Sequence, residues 1–320
     1  MTETLANKIL RKLCYEPSWL DVETERKIAE LKKLDPIRIF SRKMDLTVEN
    51  QGKQVPVRVF FASEQMEREA EEYRGKVILF FHGGGWVSES VETYERICCR
   101  MAVSTNCMVI SVEYRRAPEY RFPAALEDCC AVYESFLRGE IIKHPNRQKL
   151  ILTGDSAGGN LTAALTLMLR DRKKEMPAAQ ILIYPALWND HSENAPFPSV
   201  RENGTGRLLT SAKVEEYMNL YQSRDEDRNN PLFAPLLEKD MTGLPPALIL
   251  TAEHDLLRDE GEAYAGRLQE AGVRTELHRI QGASHGYFAL GIGFIHVKES
   301  LEYISRFLKE ETDGGETSET

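Results

Sequence analysis

A serine sits in the middle of Gly154-Asp155-Ser156-Ala157-Gly158-Gly159, which follows the apolar run Leu150-Ile151-Leu152 and opens the helically spaced run Leu161-Thr162-Ala163-Ala164-Leu165. That order spells a strand, a sharp turn and a helix, with Ser156 at the turn. Glycines on both sides remove the Cβ clashes that forbid so tight a reversal, and they lift the hydroxyl above a sheet edge. A hydroxyl so placed can attack a carbonyl. The three fixed positions of G-x-S-x-G arise by chance in about one chain in ten of this length, so the turn alone does not settle the chemistry.

A second glycine cluster narrows the choice. His82-Gly83-Gly84-Gly85-Trp86 directly follows the strand-like run Lys76-Val77-Ile78-Leu79-Phe80-Phe81. A histidine followed by three glycines is expected by chance in well under ~1% of such chains. Glycine amides of such a loop, together with the amide after the serine, make a cradle for a developing oxyanion. The expected donors are Gly83, Gly84 and Ala157, the last at a helix start, where unpaired N–H groups and the macrodipole favour negative charge. His82 is expected to fix the loop, and Asp155 to tie down the turn.

A serine hydroxyl needs a base in hydrogen-bond reach, and the base needs a third group to hold its tautomer. Of the seven histidines, His285 follows the last strand-like run, in Gln281-Gly282-Ala283-Ser284-His285-Gly286-Tyr287, and is the expected base. For the acid, Ala247-Leu248-Ile249-Leu250-Thr251-Ala252-Glu253-His254-Asp255 carries an apolar strand up to Asp255. Of its acidic neighbours, Glu253 is read as pinning the loop and Asp259 as sitting in the first turn of the next helix, where a carboxylate is favoured.

Strand-like runs recur at Val55–Phe61, Lys76–Phe81, Cys107–Val112, Lys149–Leu152, Gln180–Tyr184, Ala247–Thr251 and Arg274–Ile280. Several are continuous apolar runs, the mark of strands covered on both faces. Helix-like stretches lie between them, at Tyr94–Ser104, Ala124–Leu137, Ala157–Arg170, Glu260–Ala271 and Ile295–Leu308. This alternation predicts an α/β chain with a mostly parallel central sheet flanked by helices, whose right-handed crossovers bring the carboxyl ends of the strands to one edge. Two stretches break the alternation: residues 1–45, with amphipathic spacing in Val22–Leu34, and the insertion 187–228, helix-like around Ala212–Tyr221. Both are assigned to one helical cap, over a core made of residues 46–186 and 229–320, with an acidic tail at 310–320 expected to be disordered. Trp19, Trp86, Trp188, Phe197 and Tyr217 are the candidate walls of a substrate pocket.

The formal net charge of −9 argues against nucleic acid or an anionic membrane surface as the main partner. The amino terminus carries charges where a secretory h-region should be, and no apolar run approaches spanning length, so a cytoplasmic protein is expected. Six cysteines include the adjacent pairs Cys98-Cys99 and Cys129-Cys130, which suit packing and not a disulfide frame. None has the C-x-x-C spacing of a zinc site.

At this point the chain resembles the hormone-sensitive-lipase-like branch of the α/β-hydrolases, the esterases with an HGGGW loop and a GDSAGG elbow. The likeness runs from about Gly75 to about Phe288. Tyr114-Arg115-Arg116-Ala117-Pro118-Glu119 is similar to that family's Y-R-L-A-P-E, Asp255-Leu256-Leu257-Arg258-Asp259-Glu260-Gly261 to its D-P-L-R-D-E-G, and Ser284-His285-Gly286-Tyr287 to its H-G-F/Y. Arg116 and Leu256 depart from the usual leucine and proline. The chain order Ser156, Asp255, His285 is that of the α/β-hydrolases. The resemblance implies a capped serine carboxylesterase, monomeric or a homodimer, without metal or cofactor. With no interfacial amphipathic surface in the sequence, small-molecule esters of short to medium chain are the expected substrates, cleaved through an acyl-enzyme. Amide or formamide hydrolysis and acyl transfer would use the same residues. A non-catalytic ligand-binding receptor on this fold, like the plant gibberellin receptors, would lack the histidine that this chain keeps.

Overall fold

The computed structural model describes residues 21–31, 42–290 and 295–313. Eight strands among them form one sheet: β1 (Lys43–Asn50), β2 (Lys53–Phe60), β3 (Val77–Phe81), β4 (Met108–Val112), β5 (Leu150–Asp155), β6 (Ala179–Ile183), β7 (Ala247–His254) and β8 (Thr275–Ser284). Their order is β1-β2-β4-β3-β5-β6-β7-β8. The first two strands pair antiparallel, and from β4 to β8 every pairing is parallel. This is the α/β-hydrolase fold.

Both faces of the sheet are covered, which is why its central strands read as unbroken apolar runs. Val77, Leu79 and Phe81 of β3 face one layer, with α4 (Ala124–Leu137) and α5 (Ala157–Asp171). Ile78 and Phe80 face the other, with α3 (Glu95–Thr105) and α9 (Ile295–Asp313). A third cluster packs α8 (Arg258–Glu270) against α5, β6 and β7. The five cysteines among the described residues are all buried and free. No helix among these residues is long and apolar enough to cross a membrane.

Strand β1 was not foreseen, and the sheet begins at Lys43, inside the stretch expected to belong to the cap. Its alternation is nearly polar, because on this edge strand the inward face has only Met44, Leu46 and Val48 as apolar residues, followed by the buried Asn50. It turns into β2 through Gln51 and Gly52, both with positive φ (50° and 77°), the two-residue hairpin whose twist matches its strands. At the other end, α9 runs through the first residues of the expected tail to Asp313; residues 314–320 lie outside the described residues, as does most of 1–45.

The insertion 187–228 carries α6 (Pro198–Asn203) and α7 (Ser211–Tyr221) between β6 and β7. Helix α1 (Val22–Leu31) touches both this insertion and the core. Its Glu25 pairs with Lys213 and accepts the Tyr217 hydroxyl at 3.1 Å, both on α7. The next residue, Arg26, donates to the carbonyls of Val87 at 3.0 Å and Ala117 at 2.9 Å, and forks onto Glu119 at 2.8 Å. That fork holds the Glu119 carboxyl down at about 2.

Two glycines on helices make opposite demands. A Cβ on Gly158 would lie 1.9 Å from the Phe81 carbonyl oxygen, because the start of α5 rides directly on the end of β3. Gly158→Ala is expected to cost ~3 kcal/mol or more, since a backbone atom must give way. Gly266, inside α8, has nothing within 4 Å of its would-be Cβ, so Gly266→Ala is expected to stabilise by about 0.5–1 kcal/mol. Urea unfolding of the two variants checks both signs.

Candidate active site

The turn after β5 is as tight as its glycines suggest. Ser156 itself takes φ 54° and ψ −118°, a conformation L-residues avoid and one that the flanking packing must hold. Its N–H donates to the Ile183 carbonyl at 2.9 Å, which ties the turn to the end of β6.

Three strand ends bring the expected residues together. Ser156 Oγ lies 2.9 Å from His285 Nε2, and His285 Nδ1 lies 2.7 Å from Asp255 Oδ2. With the Nδ1 proton donated to the carboxylate, Nε2 is left as an acceptor for the serine hydroxyl. Asp255 is almost fully buried, and its other oxygen accepts the Leu257 N–H at 3.0 Å. Glu253 accepts the Gly282 N–H at 2.6 Å and so pins the histidine loop to β7. Asp259 opens α8 and accepts the Ser199 N–H at 2.7 Å. Helix α6 braces the acid loop: Ser199 Oγ donates to the Leu256 carbonyl at 2.7 Å and Asn203 Nδ2 to that of Asp255 at 3.3 Å. The usual proline at 256 is therefore replaced in a loop that α6 already holds.

The glycine loop differs from expectation in one respect. The Gly83 amide is turned inward, donating to Asp155 Oδ1 at 2.9 Å, and is spent there. The amides of Gly84, Gly85 and Ala157 have no acceptor among the described residues. Gly84 and Gly85, not Gly83 and Gly84, are thus the loop donors available beside Ala157. Positive φ at Gly84 (102°) and Gly85 (59°) makes the turn that carries them. His82 is fully buried, stacks on Tyr114 with ring centroids 4.3 Å apart, and meets the Gly83 carbonyl through Nδ1 at 2.8 Å. Burial lowers its pKa and keeps it neutral.

Asp155 ties down more than the turn. Besides Gly83 it accepts the Tyr94 hydroxyl at 2.8 Å and the Tyr184 hydroxyl at 3.2 Å. Tyr184 in turn accepts the Phe288 N–H at 3.1 Å and lies beside the His285 ring, centroids 4.8 Å apart. Neither tyrosine was foreseen, although Tyr184 directly follows β6, next to β5, where a topological argument could have found it.

The pocket candidates divide. Trp86 is buried in a stack on Tyr221, 4.6 Å between centroids, with Phe233 behind, and so serves core packing and not a pocket wall. Trp188 and Phe197 meet edge to face at 5.6 Å and pack on the α5–α8 cluster. Tyr217 lies against the glycine loop: a Cβ on Gly85 would lie 2.5 Å from its ring. Trp19 lies outside the described residues. No group of three or more His, Cys, Asp or Glu among the described residues could hold a metal ion.

Burial pushes the Asp155 carboxyl up to about 6, against the pull of its tyrosine hydrogen bonds. Its ordinary value is 3.8, so the native state takes up a proton before the unfolded chain does, and the cost of burying this charge is relieved as pH falls through about 6. Asp155→Asn carries no charge at any pH. Its stability relative to wild type is therefore expected to fall by about 1 kcal/mol from about pH 7.5 to about pH 5. Urea midpoints at the two pH values measure it, and an unchanged difference rules it out.

A family model described as an α/β-hydrolase fold matches residues 78–289. An arylesterase of Saccharolobus solfataricus is 35% identical over 269 residues, covering 83% of each chain. An ethyl acetate hydrolase of Pseudomonas putida is 32% identical over 259 residues, 78% of this chain and 79% of that one. Among solved structures, a hyperthermophilic esterase from Pyrobaculum calidifontis superposes with a TM-score of 0.83 at 33% identity, covering 96% of this chain and 98% of that one. With sheet, elbow and glycine loop in agreement, the chain belongs to the α/β-hydrolase family, in its hormone-sensitive-lipase-like esterase branch.

Proposed function

We propose that this chain is a serine carboxylesterase acting on short- to medium-chain acyl esters, with Ser156 as nucleophile, His285 as general base and Asp255 as the group that orients it. The observation that carries the reading is the hydrogen-bonded row Ser156–His285–Asp255 lying beside amides that have no acceptor among the described residues. His285 Nε2 takes the hydroxyl proton as Ser156 Oγ attacks the ester carbonyl. The carbonyl oxygen gathers negative charge against the N–H groups of Gly84, Gly85 and Ala157, at the start of α5. The imidazolium then gives its proton to the leaving alcohol. Water, deprotonated by the same imidazole, releases the acid and frees the serine. Each oxyanion donor is worth about 3–4 kcal/mol of barrier, so the backbone does as much here as the side chains.

Helix α1 and the insertion 187–228 act together as the cap in this reading, since Glu25 joins α1 to α7 and Tyr217 of α7 covers Gly85. The preference for shorter acyl chains is supported by that close cover and by a relative named for ethyl acetate, an ester of a two-carbon acid.

Ser156→Ala is expected to lower kcat on p-nitrophenyl butyrate by about 10^4-fold or more while leaving the far-UV spectrum unchanged. A variant that kept a tenth of the wild-type rate would remove the nucleophile assignment. The rate of the wild type is expected to fall on acidification, because an imidazolium cannot accept the serine proton. A kcat/KM profile with no acid limb would refute His285 as the base.

A further inference from the structure

The insertion that covers the site touches its two halves at different points. On α7, Tyr217 lies against Gly85, on the oxyanion side. In the turn just before α7, the Leu208 side chain lies against the histidine loop: a Cβ on Gly286 would be 3.5 Å from Leu208 Cδ2. Gly286 follows the proposed base directly and takes φ 79°. Leu208 is 43% exposed, one of few large apolar side chains so open among the described residues. The turn that carries it is anchored below, because α6 is fixed to the acid loop through Ser199 and Asn203, and Arg258 Nη2 reaches Glu202 at 2.8 Å. The Ser211 N–H closes the turn onto the Gly204 carbonyl at 2.9 Å.

Proton transfer decides which part of a substrate meets this leucine. The imidazolium must hand its proton to the leaving oxygen, so that oxygen lies within hydrogen-bond reach of His285 Nε2. The carbon chain it carries then leaves past the histidine loop. The carbonyl oxygen, held by the glycine amides, lies on the side that Tyr217 covers.

We infer that Leu208 walls the alcohol subsite and sets how kcat/KM changes with the length of an alkyl alcohol. This rests on the serine esterase reading above. The apolar contact of an alcohol chain with Leu208 removes water from both, and a half-open leucine gives a graded preference and not an absolute one.

Acetate esters of ethanol, butanol and hexanol, and a p-nitrophenyl series from acetyl to octanoyl, are to be compared on wild type, Leu208→Ala and Leu208→Met. The ratio of variant to wild-type kcat/KM for each ester cancels the intrinsic reactivity of the alcohol. Leu208→Ala is expected to lower kcat/KM for butyl and hexyl acetate about threefold to tenfold and for ethyl acetate less than about twofold. The acyl-length optimum stays where it is in the p-nitrophenyl series, and Leu208→Met restores the wild-type alcohol profile. A uniform loss across all alcohols would mark a merely structural residue and overturn the inference, as would a shifted acyl optimum. A wild type that hydrolyses none of these esters would overturn the esterase reading itself, a result distinct from an active wild type whose alcohol profile ignores Leu208.

Discussion

A single buried carboxylate joins the parts on which the site depends. Asp155 ends β5, next to the candidate nucleophile, and accepts from the Gly83 amide, the Tyr94 hydroxyl of the segment entering α3, and the Tyr184 hydroxyl at the end of β6. A charge so deep in the protein is costly, as its upward-shifted pKa shows. The three donors offset that cost and, in doing so, fix a geometry. Gly83 can satisfy Asp155 only if the chain turns inward there, and the next two amides are left without an acceptor among the described residues. The same carboxylate, through Tyr184, reaches the loop that carries His285. The glycine loop, Ser156 and the loop of His285 are thus referred to one acceptor.

This explains what could and could not be read from the sequence. The chemistry-bearing residues lay at the ends of apolar runs, and a parallel sheet collects such ends on one edge, so Ser156, Asp255 and His285 were legible one by one. The assignment of Gly83 as a donor was not correctable from sequence, because three consecutive glycines carry no mark of which N–H faces the protein. That depends on Asp155 being fully buried, a tertiary fact. Strand β1 was hidden for another reason: an edge strand needs only one apolar face, and three inward apolar residues spaced by polar ones fall below the signal of the central strands. Trp86 shows the limit of composition, since an indole beside a glycine loop suggests a ligand wall equally well as the stack it makes with Tyr221 and Phe233.

Adjacent residues of a helix point about 100° apart, and α1 uses that angle. Glu25 is turned to α7, where it holds Lys213 and the Tyr217 hydroxyl, while Arg26 is turned to the core, where it grips the carbonyls of Val87 and Ala117 and the carboxylate of Glu119. The Val87 carbonyl lies two residues beyond Gly85, so α1 connects the glycine loop to the ring that covers it. At the far end of α7, Arg121 donates to the carbonyls of Asn219 and Gln222, closing the same helix onto the core. The insertion is therefore held at both ends of α7 and at α6, each time by hydrogen bonds to the segments that carry site residues or lie next to them. A sheet edge can fix the reacting groups but offers no walls. The insertion lies outside the sheet, and its placement is fixed by bonds to the loops at the strand ends and to α1.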